Sequence, residues 1–150
     1  MSEVDYSAVT NAIRDVLLSD DRTKVVNSSA LTVAVEGNMN QNTANCPWVG
    51  VYLDSWDSAA VSEQIGSATP FFTLLTFELW LYEFGLEDET ANKKRDNLLR
   101  KVKEVLKANR TVNGTVRILW FKGGVFDAQA AKSGGFFRGA SLKIQCEIRE

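Results

Sequence analysis

Histidine is absent from this sequence of 150 residues, and cysteine and proline occur only twice each. Without histidine, the chain cannot form a serine–histidine or cysteine–histidine nucleophile, or the usual zinc sites. The two cysteines, Cys46 and Cys146, are too few for a disulfide framework or a multi-cysteine metal site. We therefore expect two free thiols, with a single bridge between them as the alternative.

Motifs for phosphate, cofactor and metal binding are also missing. The sequence contains no Gly-x-Gly-x-x-Gly, no Walker lysine motif and no acidic metal loop. The glycine pairs at 123–124 and 134–135 precede no convincing helix, which favours tight turns or hinges over phosphate binding. Carboxylate pairs such as Asp54 with Asp57 are interpreted as solvated charges. We therefore expect no catalytic residues, no cofactor and no bound metal, and the protein is not predicted to be an enzyme.

Neither a secretory signal nor a transmembrane helix is predicted. Residues 1–5 are polar, and the apolar run over residues 70–84 is too short and contains Glu78. The hydrophobic fraction of 45% and the charged fraction of 24% are ordinary for a globular protein. The length fits one domain over residues 1–150.

The strongest apolar pattern spans residues 70–110. Apolar and aromatic side chains alternate along residues 70–84, which predicts a long strand closed by Gly85. A helix is the alternative, and the many aromatics and threonines disfavour it. An amphipathic helix is predicted next, because acidic residues at 87–89 precede an apolar stripe. The stripe consists of Leu98, Leu99, Val102, Val105 and Leu106. Such a strand beside such a helix predicts a sheet with the helix packed on one face.

Positive charge is concentrated in this helix. Residues 93–110 hold eight basic and two acidic side chains, a net charge of +6, which leaves −8 elsewhere because the total is −2. One interpretation is a solvated helix face whose cations complement the helix dipole. The other is a docking surface for an acidic partner or for nucleic acid.

Weaker patterns complete the fold. A helix is predicted over Tyr6–Ser19, capped by Asp5 or Ser7, and strands over residues 30–36, 49–54 and 115–121. In the last of these, Val116, Ile118 and Trp120 share a face. Residues 55–58 are predicted as a turn, residues 59–65 as a return strand, and residues 125–132 are ambiguous. The clearest strand is the last, with Ala140, Leu142, Ile144, Cys146 and Ile148 facing inward. The elements predict an α+β fold: a mainly antiparallel sheet with an N-terminal helix and a second amphipathic helix packed on it.

Candidate contact residues fall into two groups. The polar loop over residues 37–45 contains Asn38, Asn40 and Asn42, and we expect an exposed arm that orders on assembly. Aromatic residues near predicted turns or glycine breaks form the second group: Trp56, Phe126, Phe136 and Phe137. They either tuck under the sheet or anchor a subunit interface, where aromatics are enriched.

Several segments together resemble the tail terminator (tail completion) proteins of long-tailed bacteriophages. The resemblance covers nearly the full length. Its segments are the N-terminal helix, Asn45-Cys46-Pro47-Trp48-Val49-Gly50-Val51-Tyr52 after a polar loop, the strand at 70–84, the basic amphipathic helix, and Phe137-Arg138-Gly139-Ala140-Ser141-Leu142 with an alternating strand.

This resemblance implies a homo-oligomeric ring, usually a hexamer, that caps the tail tube and ends its polymerisation. The expected partners are other copies of the chain, the tail tube protein and the head-closure or connector protein, while DNA passes through the lumen without specific binding. The expected location is the tail or neck of the virion, assembled in the host bacterial cytoplasm, with no membrane involved. Because phosphate neutralisation gives tight DNA binding, we expect the basic helix to face outward or toward partners.

Two other classes remain open. The first is another ring-forming virion protein, such as a head-closure or tail-tube component. The second is a cytosolic α+β binding module or small enzyme, which requires a deep apolar pocket with convergent polar groups.

Overall fold

The computed structural model describes residues 5–36, 45–60, 71–130 and 134–149. Its helices are α1 (Tyr6–Ser19), α2 (Asp21–Lys24) and α3 (Asp88–Ala108). Its strands are β1 (Val25–Val26), β2 (Ser29–Ala30), β3 (Thr32–Val35), β4 (Trp48–Ala60), β5 (Phe71–Gly85), β6 (Ile118–Gly123), β7 (Phe126–Ala130) and β8 (Phe136–Arg149). This arrangement confirms the predicted α+β fold.

Six strands form one sheet in the order β3-β4-β5-β8-β6, with β7 also paired to β8. β3 runs parallel to β4, and every other pairing in this sheet is antiparallel. β1 and β2 form a separate hairpin, whose turn residues Asn27 and Ser28 both have positive φ. The antiparallel character of the main sheet is therefore as predicted, with β3 as the parallel exception.

The long strand β5 organises the sheet because it pairs along its length with β4 on one side and β8 on the other. The predicted alternation of its side chains is confirmed on the helical side. There, Leu75, Phe77, Leu79 and Leu81 are fully buried. α1 and α3 cover this side of the sheet, which we call the helical face, and contribute the other half of the core.

Both long helices begin and end close to their predicted bounds. Asp5 caps α1, because its carboxylate accepts a hydrogen bond from the Ala8 N–H at 3.0 Å. Asp88 and Glu89 occupy the first turn of α3, where the helix dipole favours negative charge. Four residues of the predicted apolar stripe are buried, and Leu99 is half-buried.

The predicted turn at residues 55–58 is wrong, because β4 continues through it. Ser55 pairs with Thr76 and Ala60 with Phe71, so the long β5 supplies a ladder for a segment of turn-like composition. A register shift between Leu53 and Ser55 leaves Asp54 as a bulge. Residues 59 and 60 extend β4 instead of starting a return strand, and the rest of that predicted strand lies outside the described residues.

Two further strand predictions change in detail. The strand predicted from residue 115 begins at Ile118, because a turn occupies the preceding residues. Val116 therefore enters the core from that turn and does not share a face with Ile118 and Trp120. Along β3 all four residues are half-buried, so the alternation of buried and exposed side chains predicted for residues 30–36 is not observed.

The ambiguous stretch after residue 124 contains β7. β6 and β7 pair with consecutive parts of β8 and behave as one strand interrupted at the first glycine pair. A Cβ on Gly124 would lie 2.6 Å from the backbone carbon of Ser141, so only glycine fits this close approach.

Candidate assembly surface

The second side of the sheet, which we call the open face, carries a row of packed aromatic rings. Trp80 and Tyr82 on β5 stack with ring centroids 6.2 Å apart, and Trp48 on β4 meets Tyr82 at 5.9 Å. Mutual packing buries Trp48 and Tyr82, while Trp80 is half-buried. Both long helices lie on the helical face, and no helix within the described ranges packs over these rings.

Glycines beneath the rings allow this packing. A Cβ on Gly50 would lie 2.5 Å from Cη2 of Trp48, and a Cβ on Gly139 would lie 2.6 Å from Cδ1 of Tyr82. Real side chains do not tolerate such distances. The two glycines therefore let the aromatic side chains lie flat against the sheet.

One cross-strand row joins these features. Trp48 pairs with Tyr82, Tyr82 with Gly139, and Gly139 with Asp127. The Tyr82 hydroxyl donates a hydrogen bond to the Asp127 carboxylate at 3.0 Å, which ties β7 to the centre of the sheet. Side chains on four strands thus form one surface.

Ionic residues of both signs lie on the open face. The register places Asp57, Glu78, Asp127 and Glu147 there, together with Lys143. The guanidinium of Arg117, which immediately precedes β6, lies 2.8 Å from the Glu147 carboxylate. This face is therefore not a strongly basic surface of the kind that binds nucleic acid.

Trp56 lies far from the other predicted contact residues that the structure describes. It is 61% exposed on β4, opposite Leu75 of β5. Phe137 lies opposite Phe84, nine residues further along β5. At the rise of an extended strand, the two sites are about 30 Å apart, so one compact patch cannot include both. Asn38, Asn40 and Asn42 lie outside the described residues.

The three phenylalanines have different environments. Phe126 is 67% exposed, and the Arg95 guanidinium lies 4.6 Å from its ring centroid. Phe136 is half-buried, and the Arg138 guanidinium lies 5.0 Å from its ring centroid. Phe137 is buried against Phe84, with ring centroids 5.4 Å apart. Phe126 is therefore accessible, while Phe137 is held within the fold.

A buried polar cluster lies on the helical face at the end of β5. The side chain of Glu83 is buried, and its carboxylate accepts a hydrogen bond from the Asn27 amide. The same amide donates to the backbone carbonyl of Lys94 at 3.1 Å, and the side-chain amide of Asn97 donates to Oδ1 of Asn27 at 2.9 Å. Burial raises the pKa of Glu83, partly offset by the Asn27 hydrogen bond and by Lys94. This cluster fixes the β1–β2 hairpin against α3.

Neither cysteine forms a disulfide, as expected. Burial raises the pKa of the Cys46 thiol to about 12, with Glu83 adding to the shift, and burial alone raises that of Cys146 to about 12. Cys146 is buried in the core, which confirms its predicted packing role. Neither thiol is activated as a nucleophile or metal ligand.

The cations of α3 engage the protein's own surface. Lys93 pairs with Glu89 at 3.1 Å, and the Lys94 ammonium donates to the Phe84 carbonyl at 3.2 Å. Lys103 lies 5.8 Å from the Phe121 ring. An open groove on the outer side of the helix is lined by Asp96, Leu99, Arg100, Lys103, Glu104 and Lys107. These contacts fit the interpretation of a solvated helix face.

Within the described parts of the chain, no group of three or more cysteine, aspartate or glutamate side chains is placed to hold a metal ion. No helix of those parts has the length and apolar character needed to cross a membrane.

The row of rings formed by Trp48, Trp80 and Tyr82 was not predicted from the sequence as a surface. The alternation of β5 put Trp80 and Tyr82 on one face, but only the register of β4 and β8 brings them to Trp48 and Gly139. The glycines at positions 50 and 139 were the available sequence signal for this surface, because each pairs with an aromatic residue on a neighbouring strand.

No family model matches the chain, and no curated protein matches it. Among solved structures, a chain of the virion of a native gene transfer agent (GTA) particle is similar at 15% sequence identity, with a TM-score of 0.49. The match covers 99% of this chain and 100% of that chain. Because the identity and the TM-score are both low, the function is inferred from this chain's own residues.

Proposed function

We propose that this chain is a structural protein of a phage-like virion, and specifically a tail terminator that forms a ring on the end of the tail tube. One observation carries the proposal. Residues 48–52, 71–84 and 137–142, from three stretches that resemble tail terminators, lie on adjacent strands, and alternate side chains of each stretch are on the open face. Three of the five segments that carry the resemblance are therefore neighbours in the sheet.

The charge distribution supports an orientation for this ring. α3 carries a net positive charge on the helical side of the sheet, whereas the open face carries charges of both signs. A channel through which DNA slides must not bind phosphates tightly. We propose that α3 faces outward or toward partner proteins, and an image of the particle with α3 lining the channel contradicts this orientation.

The mechanism is capping by complementary surfaces, with no chemical reaction. A subunit ring presents one surface to the last layer of the tube and another to the connector. Symmetry repeats each subunit contact around the ring, so a modest interface suffices for a stable assembly.

Light scattering of the purified protein over a range of concentrations, with negative-stain images of the same sample, tests the proposal. We expect closed rings of about six subunits. Added to polymerising tail-tube protein of the same particle, the rings should sit at one tube end and limit tube length. Filaments formed by this chain alone indicate a tube component, and binding to the connector without the tube indicates a head-closure protein. A monomer that binds neither contradicts the proposal.

A further inference from the structure

Two edges of the sheet are unpaired within the described residues. β3 pairs with β4 only from Trp48 to Val51. Glu36 then ends this pairing, because its backbone has a φ of 53° and its carboxylate accepts the Leu53 N–H at 2.6 Å. Beyond that point, no described strand pairs with the outer side of β4, and none pairs with the outer side of β6.

The β4 edge and the β6 edge are on opposite sides of the sheet and occupy the same level along the strand direction. Cross-strand pairs connect them in continuous rows. One row runs through Asp57, Leu74, Glu147 and Ile118. Another runs through Leu53, Phe77, Ile144 and Phe121. A second copy placed beside the first without a vertical shift therefore brings the β6 edge directly against the β4 edge.

The strand directions suit such a contact. β4, β5, β8 and β6 alternate in direction, because each neighbouring pair is antiparallel. β6 therefore runs opposite to β4. Two copies in the same orientation present antiparallel edges to each other, which is the geometry of an ordinary antiparallel ladder.

The charges of the two edges are opposite. Asp54 and Asp57 are exposed on β4, and residues 45–60 contain no basic side chain. Lys122 is exposed on β6, Arg117 is exposed immediately before it, and residues 117–123 contain no acidic side chain. The rows place Asp57 level with Ile118, next to Arg117. They place Leu53 level with Phe121, with Asp54 and Lys122 each one residue from this row, on opposite sides of it.

We propose that the β4 edge of one copy, through Asp54 and Asp57, pairs with the β6 edge of the next copy, through Lys122 and Arg117. This inference rests on the proposed ring and names its subunit contact. The contact uses two different surfaces of the chain, so repeated copies close into a ring when their rotations complete a full turn. Trp56, in the row of Leu119, adds an exposed apolar side chain to the contact.

Charge reversal tests the pairing. The acidic-edge variant carries Asp54→Lys and Asp57→Lys, and the basic-edge variant carries Arg117→Glu and Lys122→Glu. Each variant alone faces like charges at every contact, so we expect the concentration needed for ring assembly to rise at least about tenfold. An equal mixture of the two restores opposite charges at every contact between unlike neighbours. We therefore expect rings from the mixture, and also from the chain with all four substitutions.

Controls separate folding from assembly. Arg117 is bonded to Glu147, so Lys122→Glu alone serves as a basic-edge variant that keeps this pair. Circular dichroism and urea unfolding check that each variant folds. A direct test introduces Asp57→Cys and Ile118→Cys, the two positions that the rows place level with each other, into one chain. Under oxidation we expect covalent dimers and longer ladders, which a chain with Asp57→Cys and Lys107→Cys should not form.

The outcomes distinguish the two proposals. Rings of unchanged mass and stability in both charge-reversed variants overturn the edge pairing and leave the proposed ring intact, with the charges acting only to protect free strand edges. A wild-type protein that remains monomeric with and without tail tubes overturns both. Loss of rings in each variant with recovery in the mixture supports the pairing, because a folding defect is not corrected by mixing.

Discussion

The ring of Tyr82 covers Gly139, its partner on the neighbouring strand β8. The same tyrosine packs against Trp48 and Trp80 and bonds to Asp127. The absence of a side chain at position 139 is therefore what allows the centre of the open face to pack.

Replacing Gly139 by alanine should destabilise the protein by about 1–3 kcal/mol, the usual cost of overpacking. The new methyl group would lie 2.6 Å from Cδ1 of Tyr82, so the ring must move away from Trp80 and Asp127. Urea unfolding followed by tryptophan fluorescence measures the change.

The control for this prediction is the same substitution in a Tyr82→Ala background. Without the ring, most of the steric conflict disappears, so Gly139→Ala should cost less there than in the wild type. Equal costs in both backgrounds would show that the conflict lies with the backbone, where the Leu81 carbonyl oxygen is 3.0 Å from the added Cβ.

Glu83 should make stability depend on pH. Its pKa is raised above the ordinary value of 4.5 by burial, so the folded state binds this proton more tightly than the unfolded state. The resulting stabilisation is complete below pH 4.5 and is lost as pH rises through the raised pKa. The free energy of unfolding of the Glu83→Gln variant, measured from pH 4.5 to 8 and compared with the wild type, should show less of this loss.

Glu104→Gln is the matched control, since Glu104 is an exposed carboxylate on α3. The difference in the free energy of unfolding between wild type and the Glu83 variant should change with pH, because burial raises the pKa of Glu83. A Glu83→Gln variant that follows the wild-type pH profile argues that the Asn27 hydrogen bond and Lys94 fully offset burial.

Much of the fold could be predicted because its main elements carry local periodicity. The alternation of β5 and β8 and the apolar stripe of α3 depend only on side chains close in sequence. The end of β4 could not be predicted in this way. Its residues 55–58 resemble a turn, and they are extended because β5 is long enough to pair with them.

The candidate surfaces were harder to predict, because they depend on pairing between distant strands. Asp54 and Asp57 were interpreted as solvated charges, and both are exposed. That Asp57 is level with Ile118, beside Arg117, follows only from three strand registers. Similarly, Phe136 and Phe137 are adjacent in sequence but point to opposite faces, since side chains alternate along β8.

Native thiols should resist alkylation. With a pKa of about 12, each cysteine is a thiolate in only about one molecule in ten thousand at pH 8, and burial also limits access. Mass spectrometry after iodoacetamide treatment should find both cysteines unlabelled in the folded protein and both labelled in urea. Labelling of Cys46 alone in the folded protein would show that its half-buried position opens transiently.

Trp56→Ala should separate folding from assembly. Because the side chain is 61% exposed, its removal should change the free energy of unfolding by no more than about 0.5 kcal/mol. An exposed tryptophan beside an unpaired strand edge is, however, the type of residue that anchors interfaces, so the concentration needed for ring assembly should rise at least about tenfold. Leu86→Ala provides the control, since Leu86 is 79% exposed and lies outside the proposed contact. Light scattering on both variants measures their assembly. Equal assembly by the two would show that Trp56 is not part of the interface. Weaker assembly by the Leu86 variant alone would indicate an interface at the start of α3.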